Sequence, residues 1–194
     1  MACRWVARGR FTRWLKPNGF LDPPTALKPA NAKAVVPKFL ADAMLRRLCR
    51  WLRILGYSCD YASPEKSDDE VIRWASGDKL VLLTRDEELA QKARDYCKTL
   101  LLRSNYFQQQ AKEVFRSLRL APSKFPSRTI CPECNGLLRK TSKAEVEGKV
   151  WPYVFKRRRD FWECTGCGKI YWKGSHWRGI KKTVERIRRK KNGR

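Results

Sequence analysis

Val35-Val36-Pro37-Lys38-Phe39-Leu40-Ala41 is a short apolar run, followed at once by Asp42 and then by Leu45, Leu48, Cys49, Leu52 and Leu55 at helical spacing. A run of this length that gives way to a helical stripe reads as a buried strand feeding a helix, and Gly56 stands where the helix needs a C-cap. Cys49 lies on the apolar stripe, so it reads as a core residue rather than a reactive thiol. The pattern then repeats. Tyr57, Cys59 and Tyr61 alternate as a short strand, and Ser67-Asp68-Asp69-Glu70 opens a second helix as a capping box, with Gly77 expected to close it. Residues 80–83 form another buried strand, followed by a helix from Glu87. Residues 99–102 form one more strand, and Asn105 is the expected cap of a last helix whose inward face includes Ala111, Val114, Phe115 and Leu118. Strand alternating with helix predicts an α/β fold over residues 36–120, a mostly parallel sheet flanked by helices on both faces.

Outward from this segment the composition changes. Residues 1–35 hold one acid, Asp22, with Arg and Trp scattered without period and a Pro-rich stretch, and read as a basic, poorly ordered arm. The arm is also Arg-rich and acid-poor in the manner of an organellar transit peptide; the cytoplasm is the preferred reading and organellar import the alternative. Residues 121–127, punctuated by Pro122 and Pro126, read as a linker, residues 128–178 as a small second module and residues 179–194 as a basic tail with Val184 and Ile187 at helical spacing.

The second module is read from its cysteines. Cys131/Cys134 and Cys164/Cys167 are two C-x-x-C pairs, in C-P-E-C and C-T-G-C knuckles. A thiolate pair two residues apart offers two sulfurs to one tetrahedral Zn²⁺, and a second knuckle completes the shell. Residues 135–163 between the pairs exceed the usual spacing but accommodate a hairpin, which gives a zinc ribbon holding structural Zn²⁺. A disulfide framework or a redox pair fits less well, because no apolar signal core and no membrane-length apolar span point to an oxidising compartment. Losing one thiolate is expected to unfold this module and spare the α/β domain.

With Lys+Arg 44 against Asp+Glu 19, a net charge of +25 and eight Trp, the expected partner is a nucleic acid and not a membrane. The cations cluster in Lys156-Arg157-Arg158-Arg159 and in the tail, whereas 12 of the 19 carboxylates fall in residues 38–120. In a parallel sheet Asp42 and Asp86 each follow a strand and reach the same carboxyl-end edge, where open α/β folds bind ligands. Asp68 and Asp69 begin a helix that should face the same edge. Acids converging without an interleaved base repel unless they share a cation, and hard oxygen donors select Mg²⁺ or Mn²⁺. Such a site suits metal-assisted phosphodiester hydrolysis. The competing reading is that Asp42 and Asp86 only cap helices, while Asp68 and Asp69 only favour a helix dipole.

Phe39-Leu40-Ala41-Asp42-Ala43-Met44-Leu45-Arg46-Arg47-Leu48, with Arg50-Trp51-Leu52-Arg53 and Leu55-Gly56-Tyr57 after it, resembles the opening of the Mut-seven C-terminal RNase domain, a PIN-like family. Leu82-Leu83-Thr84-Arg85-Asp86 is similar to its second hallmark, and Ser67-Asp68-Asp69-Glu70 falls where a further acid is expected. The knuckles followed by Tyr171-Trp172-Lys173-Gly174-Ser175-His176-Trp177 are similar to the family's closing module. The resemblance spans about residues 36–178. It implies a PIN-like fold and a metal-dependent ribonuclease with Asp42, Asp68 and Asp86 at catalytic, metal-binding positions, Asp69 being the alternative to Asp68. PIN nucleases commonly carry a fourth acid, and here that region reads Arg103-Ser104-Asn105, which points either to one ion rather than two or to a weakened metal shell.

Arg46 and Arg50 share a helix face and, with Arg85, are placed to hold phosphate near the ion. Lys156, Arg157, Arg158 and Arg159 are expected to grip RNA, ribosomal or transfer RNA being the natural candidates. His176 and Trp177 are further RNA-contact candidates, against a structural role for His176 packed on Trp172 and Trp177. Arg53 reads as a solvated surface residue. The alternative to a nuclease is a non-catalytic RNA-binding or ribosome-associated protein that keeps the fold. A zinc-ribbon DNA-binding regulator leaves the acidic edge unexplained.

Overall fold

β1 (Phe39–Ala41), β2 (Cys59–Tyr61), β3 (Val81–Thr84) and β4 (Thr99–Leu101) pair in the order β2-β1-β3-β4, every pair parallel. They belong to a computed structural model that describes residues 36–121 and 129–189; the expected arm, the expected linker apart from residue 121, residue 128 and the last five tail residues lie outside the described residues. The described residues belong to one unit, Val36–Arg194. The connecting helices are α1 (Arg46–Ile54, after a 3₁₀ turn at Ala43–Leu45), α2 (Asp68–Gly77), α3 (Glu87–Ala93) and α4 (Phe107–Ser117).

Alternate strand residues face opposite sides, and here both sides are apolar, as a parallel sheet covered on both faces requires. Phe39 and Ala41, in register with Val81 and Leu83, meet Leu48, Cys49 and Leu52 of α1 and Ala111, Val114 and Phe115 of α4. Leu40, in register with Leu82, meets Val71, Ile72 and Ala75 of α2 and Leu89 and Ala93 of α3. From β1 the chain turns outward to β2, then crosses back to β3 on the other side of β1. Neighbouring β1 and β3 therefore form the switch point of the sheet.

The expected caps are met at two helix ends and not at two others. The Ser67 hydroxyl accepts from Glu70 N (3.4 Å) while Ser67 N donates to the Glu70 carboxylate (2.9 Å), a capping box that opens α2. Gly56 closes the first helix with φ 93°. At the end of α2, however, the left-handed residue is Lys79 (φ 53°), two positions beyond Gly77. Asn105 does not cap α4 either: its side-chain oxygen accepts from Arg85, and the entry is tightened by Ser104, whose hydroxyl accepts from Tyr106 N (3.1 Å).

β5 (Leu138–Thr141), β6 (Phe161–Cys164) and β7 (Ile170–Trp172) form an antiparallel sheet in that order, with α5 (Pro152–Arg157) in the connection between β5 and β6. The final helix, α6 (Trp177–Arg188), returns to the α/β core, where Val184 and Ile187 are buried in the cluster that holds α1 and α4. The cysteine knuckles are tied to the same core. Arg53, only 7% exposed, donates from Nε to Cys59 O (2.7 Å) and from Nη1 to Glu133 O (2.6 Å) and Pro132 O (3.1 Å). Asn135, in the left-handed region (φ 67°), accepts from Cys59 N (3.1 Å) and donates to Ser58 Oγ and Asp60 Oδ1, both at 2.9 Å.

Candidate functional site

The carboxyl ends of β1 and β3 carry Asp42 and Asp86. Asp42 leaves β1 with its N–H on Leu83 O (3.0 Å), so the strand pairing itself positions its side chain beside β3. Asp42 Oδ2 accepts from Thr84 Oγ1 (2.9 Å), and the same hydroxyl oxygen accepts from Asp86 N (3.0 Å). Thr84 is fully buried and thus ties the two acids together from below. Both aspartates also cap: Asp42 Oδ1 accepts from Ala43 N, and Asp86 Oδ1 accepts from Glu88 N (2.8 Å) and Leu89 N (3.1 Å). Capping and ion binding are compatible, because each carboxylate oxygen has two lone pairs, and Asp86 Oδ2 carries no hydrogen bond among the described residues.

Asp68, in the first turn of α2, is held by Lys92 of α3 at 2.8 Å, and the carboxylate raises the lysine's ionisation. Asp69 beside it is exposed and lines an open groove of about 1180 Å³ between α2 and α3, together with Arg73, Lys92 and Tyr96. Asp42 and Asp86 are thus linked through one hydroxyl, whereas Asp68 is engaged by a lysine. In the region without the fourth acid, Arg103 pairs with Glu87 and its backbone N–H donates to Glu113 (2.9 Å).

Among the described residues, the one group of three or more His, Cys, Asp or Glu side chains whose ligand atoms lie within 4.8 Å of one another is Cys131, Cys134, Cys164 and Cys167. Cys131 and Cys167 Sγ are 3.7 Å apart and Cys134 and Cys164 Sγ 3.3 Å. A tetrahedral zinc with bonds of about 2.3 Å needs sulfurs roughly 3.8 Å apart, so the cluster can hold a metal such as zinc. Its surroundings treat the sulfurs unequally: burial pushes the Cys134 thiol up to about 12. Burial pushes the Cys164 thiol up, the N–H groups of Cys167 (3.4 Å) and Gly166 (3.3 Å) pull it down, and the balance lies at about 7. Tyr171 Oη lies 3.1 Å from Cys131 Sγ, and burial followed by that sulfur keeps the phenol protonated as a donor. A Cβ at Gly136 would stand 3.1 Å from Cys164 Sγ, so any larger residue there would press on the sulfurs where the first knuckle closes on the second.

The basic candidates are dispersed. Arg46 lies over the Tyr61 ring at 5.8 Å, and Arg50 pairs with Glu133 of the first knuckle at 2.9 Å. Arg85 donates to Asn105 from one terminal nitrogen, while its buried Nε has no partner. Lys156 and Arg157 end α5, with Arg157 over the Tyr153 ring at 4.8 Å, and Arg158 and Arg159 lead into β6. The exposed His176 ring sits over Gly174 beside Trp172, and half-buried Trp177 starts α6. Three residues acquire roles that sequence reasoning did not assign: Thr84, Arg53 and Asn135. Thr84 stood inside a quoted motif without a role of its own, and nothing local distinguishes the other two, because their partners are 6 to 80 positions away.

No curated protein and no solved structure matches the chain in comparisons with each set. Residues 37–184 match the family described as the Mut7-C RNAse domain, an interval that contains both switch-point aspartates, Asp68 and all four cysteines, and this description suggests a ribonuclease-type function. On that match over most of its length, the chain belongs to the Mut7-C RNAse domain family.

Proposed function

We propose that this chain is a divalent-metal-dependent ribonuclease that hydrolyses RNA phosphodiester bonds at the edge formed by Asp42 and Asp86, and that the cysteine module with its cations grips the RNA. The observation that supports this reading is the shared Thr84 hydroxyl. At the switch point a buried threonine donates to the Asp42 carboxylate and accepts from the backbone N–H of Asp86, so one hydroxyl ties both acidic residues to the end of β3. Hard oxygen donors with spare lone pairs fit Mg²⁺ or Mn²⁺, which needs as few as one or two protein carboxylates and keeps several waters. When bound, such an ion activates water and offsets the charge that builds on the attacked phosphorus.

The chain's own residues do the rest. Asp42 and Asp86 would hold the ion, with Thr84 fixing the Asp42 carboxylate and the Asp86 backbone at the end of β3. Asp68 would serve as a third ligand only without its ion pair to Lys92. Arg46 and Arg85 draw the scissile phosphate to the edge, while Lys156, Arg157, Arg158 and Arg159 bind RNA further along. Zn²⁺ in the knuckles is structural. Among the described residues no helix is long and apolar enough to cross a membrane.

The test is cleavage of labelled RNA with Mg²⁺, with Mn²⁺ and with neither, zinc content being checked in each. Asp42→Asn removes one negative ligand while keeping shape, so cleavage should fall about a hundredfold or more, at 1.36 kcal/mol per tenfold, and RNA binding should persist. A second reading, an RNA-binding protein without catalysis, is favoured by the Lys92–Asp68 ion pair, which occupies the third acid. Absence of cleavage with either metal, or full activity in Asp42→Asn, establishes that second reading in place of the first.

A further inference from the structure

The connection between β5 and β6 carries α5, and on it two large aromatic side chains stand in water. Trp151 is 77% exposed, the highest value for a large apolar side chain among the described residues, and Tyr153 is 63% exposed. Rings of this size gain by burial, so their exposure calls for an occupant. Pro152 at the first helical position pre-sets the backbone between them, which presents both rings from a defined turn.

The surroundings are cationic. The Arg157 guanidinium lies 4.8 Å from the centroid of Tyr153, and Lys143 Nζ lies 4.7 Å from that of Phe155. Arg139 engages Glu145 and Glu163, and Lys140 engages Asp160. Lys149, Lys156, Arg158 and Arg159 have no ion pair among the described residues, and Glu147 is the one acid of the stretch left without one. Aromatic faces interleaved with uncompensated cations are complementary to a strand that offers both phosphates and open base faces. A duplex offers the phosphates alone, because its bases are stacked on each other.

We propose that Trp151 and Tyr153 form a stacking platform for unpaired bases, so that this module selects single-stranded over fully paired RNA. The cation over Tyr153 takes one face of the ring and leaves the other for a base. The proposal rests on RNA being the polyanion of the function proposed above, but not on cleavage.

The test measures binding of the full chain to a fluorescent single-stranded oligouridine and to an RNA duplex of equal length, without added Mg²⁺ or Mn²⁺. Stacking on an aromatic ring is worth about 5- to 150-fold in affinity per base. Trp151→Ala and Tyr153→Ala should each therefore weaken single-strand binding roughly tenfold, and duplex binding less than twofold. Trp151→Phe and Tyr153→Phe should restore most of the affinity, and Trp151→Phe should also reduce the quenching of tryptophan emission by bound oligouridine. Both side chains are exposed, so the variants should keep their zinc content and far-UV spectrum. Equal losses on single strand and duplex overturn the proposal, since they assign the patch to phosphates alone. Unchanged affinity overturns it as well, and leaves the rings to a protein partner. A chain that stacks oligouridine but cleaves no RNA refutes the nuclease reading and leaves the platform standing.

Discussion

Thr84 has one hydroxyl and two acidic neighbours, donating to Asp42 and accepting from Asp86 N. Thr84→Val keeps the shape and the strand propensity but strands both partners, at a cost of about 1–2 kcal/mol for polar groups left short of a bond. Urea unfolding should register that loss. In the nuclease reading, the same substitution should lower kcat about tenfold while leaving oligonucleotide affinity unchanged, because the phosphate-binding arginines are untouched. A loss of stability with kcat intact would reduce Thr84 to a packing residue. Asp42 and Asp86 were legible as carboxylates after strands, since position along the chain places them at one edge. The hydroxyl between them was not legible as a bridge, because a threonine at the end of an apolar strand is ordinary in sequence.

At the scale of elements, the knuckle and the sheet edge are one construction. Arg53 of α1 reaches two knuckle carbonyls, and Asn135 of the knuckle takes up Cys59 N and the side chains of Ser58 and Asp60 around β2. These contacts alter the expectation that losing a thiolate would spare the α/β domain. Cys131→Ser should release zinc and also lower the urea midpoint of the α/β core, read from far-UV circular dichroism, since the hydrogen bonds that Arg53 and Asn135 make between knuckle and core are then lost. An unchanged midpoint would show that the modules are independent. Acidification should act in the same direction: zinc needs thiolates, and with the metal-free Cys134 thiol pushed up to about 12 by burial and Cys164 balanced at about 7, protons compete with the metal increasingly as pH falls. Arg53 was misread as solvated because its position on the helix adjoins the apolar stripe. Only the chain returning some eighty residues later covers it.

Across the whole molecule, the charge of +25 is the dominant long-range property. If six or more cations meet phosphate, RNA affinity should fall about 10³-fold or more between 50 and 200 mM salt. The tail is poorly tested by deletion, because Val184 and Ile187 sit in the α/β core and removing them would open it. Replacing the exposed Lys182, Arg186 and Arg188 of α6 by Gln avoids that damage and should flatten the log–log salt slope by about 2, at roughly 0.7 per phosphate contact on a single strand. A slope that does not move takes α6 out of the interface. The α/β alternation, the two cysteine knuckles, the acid-rich segment and the excess of positive charge were all determined by sequence alone, because they depend on periodicity, spacing and net charge, which local chemistry sets. Tertiary structure decided what those segments do to each other: that β1 and β3 are neighbours at the switch point, that Asp68 meets a lysine, that a cysteine knuckle clasps β2 and that α6 closes the core. These depend on which distant groups satisfy one another's buried hydrogen bonds and apolar faces, a choice made only when the chain packs.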